Sequence, residues 1–134
     1  FGANCGIGAP DLLATINDIS KNVDPGTVVI SKANCGIPEF IDGNITYSGT
    51  EELMSEYVQI AINSGAKIIG GCCGTSFDHV RAMRKAMDEH VVSPPPTLEE
   101  IEARVGPMSE GSKSIFQGDD SKPKKHRRSR RSRA

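Results

Sequence analysis

Gly70-Gly71-Cys72-Cys73-Gly74-Thr75 follows the apolar run 66–69 and precedes a helical pattern. It therefore sits where a strand hands over to a helix. Adjacent side chains on a regular strand point to opposite faces. The flanking glycines lift that restriction and let the backbone bend, so both sulfurs can face one point. Two thiols aimed at one point suit a soft metal, zinc above all. Taken alone, the doublet fits two small buried thiols or a vicinal disulfide as well.

The other two cysteines lie in a repeat. Ala3-Asn4-Cys5-Gly6-Ile7 recurs identically as Ala33-Asn34-Cys35-Gly36-Ile37. Phe1–Cys5 resembles the end of a strand. Ala9-Pro10-Asp11 opens a helix, because Pro suits a first turn and Asp its positive end. Leu12, Leu13, Ile16 and Ile19 give that helix its apolar face. Residues 27–33 read as a strand whose run Val28-Val29-Ile30 expects cover on both faces. Residues 37–49 read as a long loop. Thr50, with Glu51 and Glu52, starts a second helix, and Gly65 stops it. Thr75 or Ser76 caps a third.

Three strand-to-helix junctions thus carry Cys-Gly. Strands alternating with helices predict a parallel sheet. Parallel strands place their C-terminal ends along one edge, and in a closed (β/α)8 barrel those ends meet at one mouth. Cysteines distant in sequence can then share a metal site. An open, doubly wound sheet is the other arrangement the pattern allows. No dinucleotide fingerprint or phosphate loop is present.

Composition divides the chain. Residues 1–118 carry 15 acidic against 8 basic side chains, and residues 119–134 carry 8 basic against 2 acidic. Pro94-Pro95-Pro96 ends the globular part. The reading is a domain over 1–92, a Pro-rich linker with a short helix over 93–105, and a disordered tail over 106–134, basic from Lys122. The tail has charge for RNA or an acidic surface but no interleaved aromatics, so nucleic acid is not the expected partner. No apolar run is long enough to span a membrane. Four cysteines without a secretory pattern predict a reducing compartment, the cytoplasm.

Gly2-Ala3-Asn4-Cys5-Gly6 and Gly70-Gly71-Cys72-Cys73-Gly74-Thr75 resemble the two zinc motifs of the homocysteine S-methyltransferase family, over roughly residues 1–90. The resemblance implies an α/β fold, the C-terminal part of a (β/α)8 TIM barrel. It implies Zn2+ bound by Cys5, Cys72 and Cys73, with these residues ending the sixth and eighth strands. It implies methyl transfer to the thiol of homocysteine, giving methionine. The partners would be homocysteine and a small methyl donor, betaine or a relative, as in compact members of the family. The earlier strands and much of the homocysteine pocket would lie outside this sequence. The fragment is then expected to be inactive alone, marginally stable, or associated with another copy through its open sheet edge.

Cys35 departs from the family pattern, where a small residue such as Ala is expected. It is either a packing residue or a fourth ligand. Four thiolates would make a closed structural site, whereas a catalytic zinc keeps one position open. A non-catalytic four-cysteine protein with a nucleic-acid-binding basic tail is therefore the rival reading. His79 and His90 read as cap or surface residues. Tyr47 either lines the mouth or packs within its loop. Asn4 and Asn34 stand at turn positions, for turn chemistry or for substrate. Glu39 and Asp42 show no partner, and Met54, Met83 and Met87 read as core.

Overall fold

The computed structural model describes residues 1–118. Residues 119–134, with the basic run from Lys122, lie outside the described residues. The first element, β1 (Gly2–Asn4), leads through a turn into α1 (Ala9–Asn22). Pro10 occupies the first turn of α1, and Leu12, Leu13 and Ile16 are buried beneath it. Next comes β2 (Ile30–Ala33), then β3 (Pro38–Ile41) and β4 (Asn44–Tyr47). Helix α2 (Glu51–Asn63) is capped by Thr50, whose hydroxyl accepts from Leu53 N at 3.2 Å. Strand β5 (Ile68–Gly71) leads into the cysteine doublet and α3 (Phe77–Glu89). Two short helices follow, α4 (Leu98–Val105) and α5 (Glu110–Gln117).

The sheet has the order β1-β2-β5, and both pairings are parallel. Ala3 pairs with Ser31, and Ser31 with Ile69. Helices connect the strands, so the molecule is α/β with a parallel sheet. Among the described residues the sheet stays open, with β1 and β5 at its edges, and no barrel closes. The core lies between the sheet and α1, α2 and α4. Leu13, Ile16, Met54, Tyr57, Ile60 and Ile101 are all fully buried there. Met83 is also buried and Met87 packs against the same core, as the reading of the methionines expects.

Three expectations are corrected. The strand expected over 27–33 begins at Ile30, and Val28 is 48% exposed, so cover on both faces does not extend to it. The loop expected over 37–49 is a β-hairpin. Phe40 pairs with Ile45 and Ile41 with Asn44 across a two-residue turn at Asp42-Gly43. Both turn residues have positive φ, 49° and 80°, the conformation that favours Asp-Gly in tight hairpins.

The third correction concerns the C-terminal region. Disorder does not hold over 106–118, and 93–105 is more than a linker. Ile101, Val105 and Met108 enter the same core as α1 and α2. Thr97 and Glu100 close a capping box at the start of α4, through bonds of 2.8 and 3.2 Å. Arg104 reaches Glu56 and Gln59 on α2. Ser109 caps α5 and bonds to Asp11 on α1, while Phe116 lies under Lys21. A composition rich in Gly, Ser and charge reads as disordered, yet a few apolar side chains suffice to dock it.

Candidate metal centre

The middle strand builds the site. Cys5 N donates to Lys32 O at 2.9 Å, and Cys72 N donates to Ala33 O at 2.7 Å. Cys35 N donates to Cys73 O, also at 2.9 Å. The turn after β1 and the turn after β5 are therefore both tied to the end of β2. This is the juxtaposition that parallel strand ends allow.

At that edge three sulfurs converge. Cys72 Sγ lies 3.8 Å from Cys73 Sγ, and Cys73 Sγ lies 4.0 Å from Cys5 Sγ. All three fall within 4.8 Å of one another. Zinc–sulfur bonds of about 2.3 Å in a tetrahedron put neighbouring sulfurs about 3.8 Å apart. The set is thus soft in chemistry and close to the right size for one ion. Cys5 and Cys72 are half-buried and Cys73 is exposed, so the cluster is reachable from outside.

The identical pentapeptides differ in conformation. Cys5 has φ of 68°, the left-handed region that a side chain other than glycine rarely enters. That turn presents its sulfur to the cluster. Cys35 has no such φ and is fully buried. Its sulfur packs against Gly49, where an added Cβ would lie 2.5 Å from it. Burial pushes the Cys35 thiol above its ordinary pKa, which favours the protonated form. The structure brings three cysteines together and leaves the fourth in the core.

Tyr47, the last residue of β4, closes over the doublet. Its ring lies against Gly74, where an added Cβ would be 2.4 Å from Tyr47 Cγ. Hydrogen bonding with the Tyr47 side chain, ahead of that with Cys72 and Cys5, holds the Cys73 thiol below its ordinary pKa. The same bond raises Tyr47. Desolvation instead raises Cys72, with the hydrogen bond to Cys73 adding to it.

The remaining candidates lie elsewhere or act on backbone. His79 Nδ1 accepts from Ser76 N at 3.0 Å, capping α3, and its Nε2 faces Gly49 O at 3.4 Å. His90 Nε2 pairs with Asn63 Oδ1 at 2.9 Å. Asn34 Nδ2 donates to Gly6 O at 2.7 Å, which ties the two repeat turns together, and its buried Oδ1 has no partner. Asn4, Glu39 and Asp42 are exposed. Gly49 escaped the reading of the sequence. The Asp42-Gly43 turn was the available signal for the hairpin that delivers Tyr47 and Gly49 to their places.

The family model described as Homocysteine S-methyltransferase matches residues 1–87, more than half of the chain. The chain belongs to the homocysteine S-methyltransferase family. The match spans every element from β1 through most of α3, and so all three clustered cysteines. Helices α4 and α5 lie beyond it, although they share the core. Membership supports a methyltransferase in general terms. Among the described residues no helix is long and apolar enough to cross a membrane.

Proposed function

We propose that the chain carries the metal-binding part of a zinc-dependent homocysteine methyltransferase. The observation behind this is the convergence of the Cys5, Cys72 and Cys73 sulfurs at one sheet edge in a member of this family. In this reading β1, β2 and β5 are the last three strands of a (β/α)8 barrel, whose closure needs further strands at the two open edges. Zinc at this site would supply the positive charge that ionises the thiol of homocysteine near neutral pH.

This chain's own residues do the rest. Cys5, Cys72 and Cys73 offer three thiolates from two turns anchored to β2. Burial of Cys35 withholds a fourth, which leaves a place for the substrate sulfur. The exposed side of the cluster admits homocysteine and a small methyl donor, betaine or a relative by the resemblance. The homocysteine sulfur attacks the methyl carbon, and the donor leaves with the electrons of its bond to that carbon. The four-cysteine structural site is disfavoured by one observation, the packing of the Cys35 sulfur against Gly49.

Zinc K-edge absorption on the purified chain, with and without homocysteine, tests the reading. Three sulfurs and one lighter atom, becoming four sulfurs with homocysteine, is the expected result. Four sulfurs from the start, unchanged by homocysteine and reduced in Cys35→Ala, would sink it.

A further inference from the structure

The doublet turn is held at its start by the sheet, through Cys72 N to Ala33 O at 2.7 Å. Its far end runs into α3, where His79 stands half-buried in the first turn. The backbone N–H of Ser76 can only donate, and it donates to His79 Nδ1 at 3.0 Å. Nδ1 therefore carries no hydrogen, and the ring proton sits on Nε2. Nε2 then faces the carbonyl of Gly49 as a donor, at 3.4 Å. One ring nitrogen caps the helix, and the other reaches out of it to the segment that returns from the hairpin.

Gly49 passes the tie on. Its N–H donates to Cys35 O at 3.1 Å, and Cys35 N donates to Cys73 O at 2.9 Å. The chain from Cys73 to Ser76 closes a ring of contacts that runs through Cys35, Gly49 and His79 and back to Ser76. Gly49 suits its place in the ring, because an added Cβ would lie 2.3 Å from the Cys35 carbonyl carbon. A helix cap alone would need only Nδ1. The bond from Nε2 spans 30 residues of sequence and lands on the segment that holds Cys35.

We propose that His79 is a positioning residue of the metal centre: through Gly49 and Cys35 it fixes the Cys73 backbone, so that the three sulfurs are gathered before an ion arrives. Cys73 needs this most, because it is the exposed member of the cluster, with the least packing around it. Groups behind the ligands that set their orientation raise metal affinity, since less ordering remains to be done at binding. The proposal rests on the reading of the cluster as a metal centre.

Two substitutions in the 134-residue chain separate this role from capping. His79→Glu keeps an acceptor for Ser76 N, as in a Ser-x-x-Glu capping box, and removes the donor to Gly49. His79→Gln keeps both an acceptor and a donor. Amide hydrogen exchange on the metal-free chain reads the ring directly. In His79→Glu the Gly49 and Cys35 amides are expected to exchange about fivefold faster, the scale of one hydrogen bond. The Val80 amide, which donates to Ser76 O at 3.2 Å, is expected to keep its native rate. Zinc affinity, measured by chelator competition, is expected to fall about tenfold in His79→Glu, although the added negative charge by itself favours a cation. His79→Gln is expected to restore both readouts. Native exchange at Gly49 and Cys35 in His79→Glu overturns the proposal, and so does an equal rise at Val80, which would mark His79 as a helix cap alone. Faster exchange at Gly49 and Cys35 with native zinc affinity overturns it too, while leaving the metal centre standing. A native chain that takes up no zinc overturns the proposal together with the proposed function, and metal content alone distinguishes that case.

Discussion

Cys35 donates its amide to the carbonyl of Cys73 at 2.9 Å, yet its own sulfur faces away into the core. The residue that helps hold the Cys72-Cys73 turn in place thereby keeps its own sulfur out of the cluster. Cys35→Ala is expected to leave zinc stoichiometry unchanged and to cost about 1 kcal/mol of stability for the lost sulfur packing. Single Ala substitutions of Cys5, Cys72 or Cys73 are expected to weaken zinc binding severely. Metal content after dialysis and denaturant midpoints separate the two kinds of effect.

Gly74 serves the same turn from the other side. Its φ of 75° and the Tyr47 ring above it both exclude a side chain. Gly74→Ala is expected to destabilise the fold by about 1–2 kcal/mol from backbone strain alone, and further through displacement of Tyr47. Thermal unfolding of the variant against the native chain measures it.

Tyr57 gives a pH dependence of known sign. Burial pushes its hydroxyl up to about 12, although the bond to Ser31 at 2.6 Å acts in the opposite direction. A folded value above the unfolded value of about 10 means that the unfolded chain releases its proton first. The contribution is therefore intact below about pH 10 and is lost as pH rises toward 12. Over that window the native chain is expected to lose stability more steeply than Tyr57→Phe, by roughly 2–3 kcal/mol at the upper end. Denaturant midpoints at stepped pH values read the difference.

The C-terminal helices predict an asymmetry in truncation. A chain ending at residue 105 would expose the surface covered by Met108 and Phe116 and release Asp11 from Ser109. It is expected to unfold at lower denaturant than a chain ending at residue 118, by an amount matching about 2–3 kcal/mol of lost apolar burial. Equal midpoints for the two chains would show that α5 adds nothing.

The parts of this fold that could be read in advance are those where the backbone signal and the chemical signal coincide. Cys-Gly after an apolar run marks a strand end, and the doublet and first repeat met as expected. The second repeat could not be told from the first, because Ala-Asn-Cys-Gly-Ile is the same string in both. What separates them is Gly49, which arrives at Cys35 by a hairpin and has no counterpart at Cys5 among the described residues. The hairpin itself was hidden because Pro38, Gly43 and Gly49 punctuate its stretch as they would a loop, and its strands are only four residues each. Helix α5 was hidden for the opposite reason, since Ser109 and two apolar anchors work inside a stretch whose composition argues for disorder.

The cluster also has a topological side. Cys5 and Cys73 stand 68 residues apart, and the chain between them contains α1, the hairpin and α2. An ion gripping both would act as a cross-link that ties off a long loop, removing many open conformations from the unfolded chain. Occupancy of the site and folding of that span would then form one equilibrium. The loop it closes holds the middle strand to which both cysteine turns are bonded, so the clasp and the frame it fastens would be secured together.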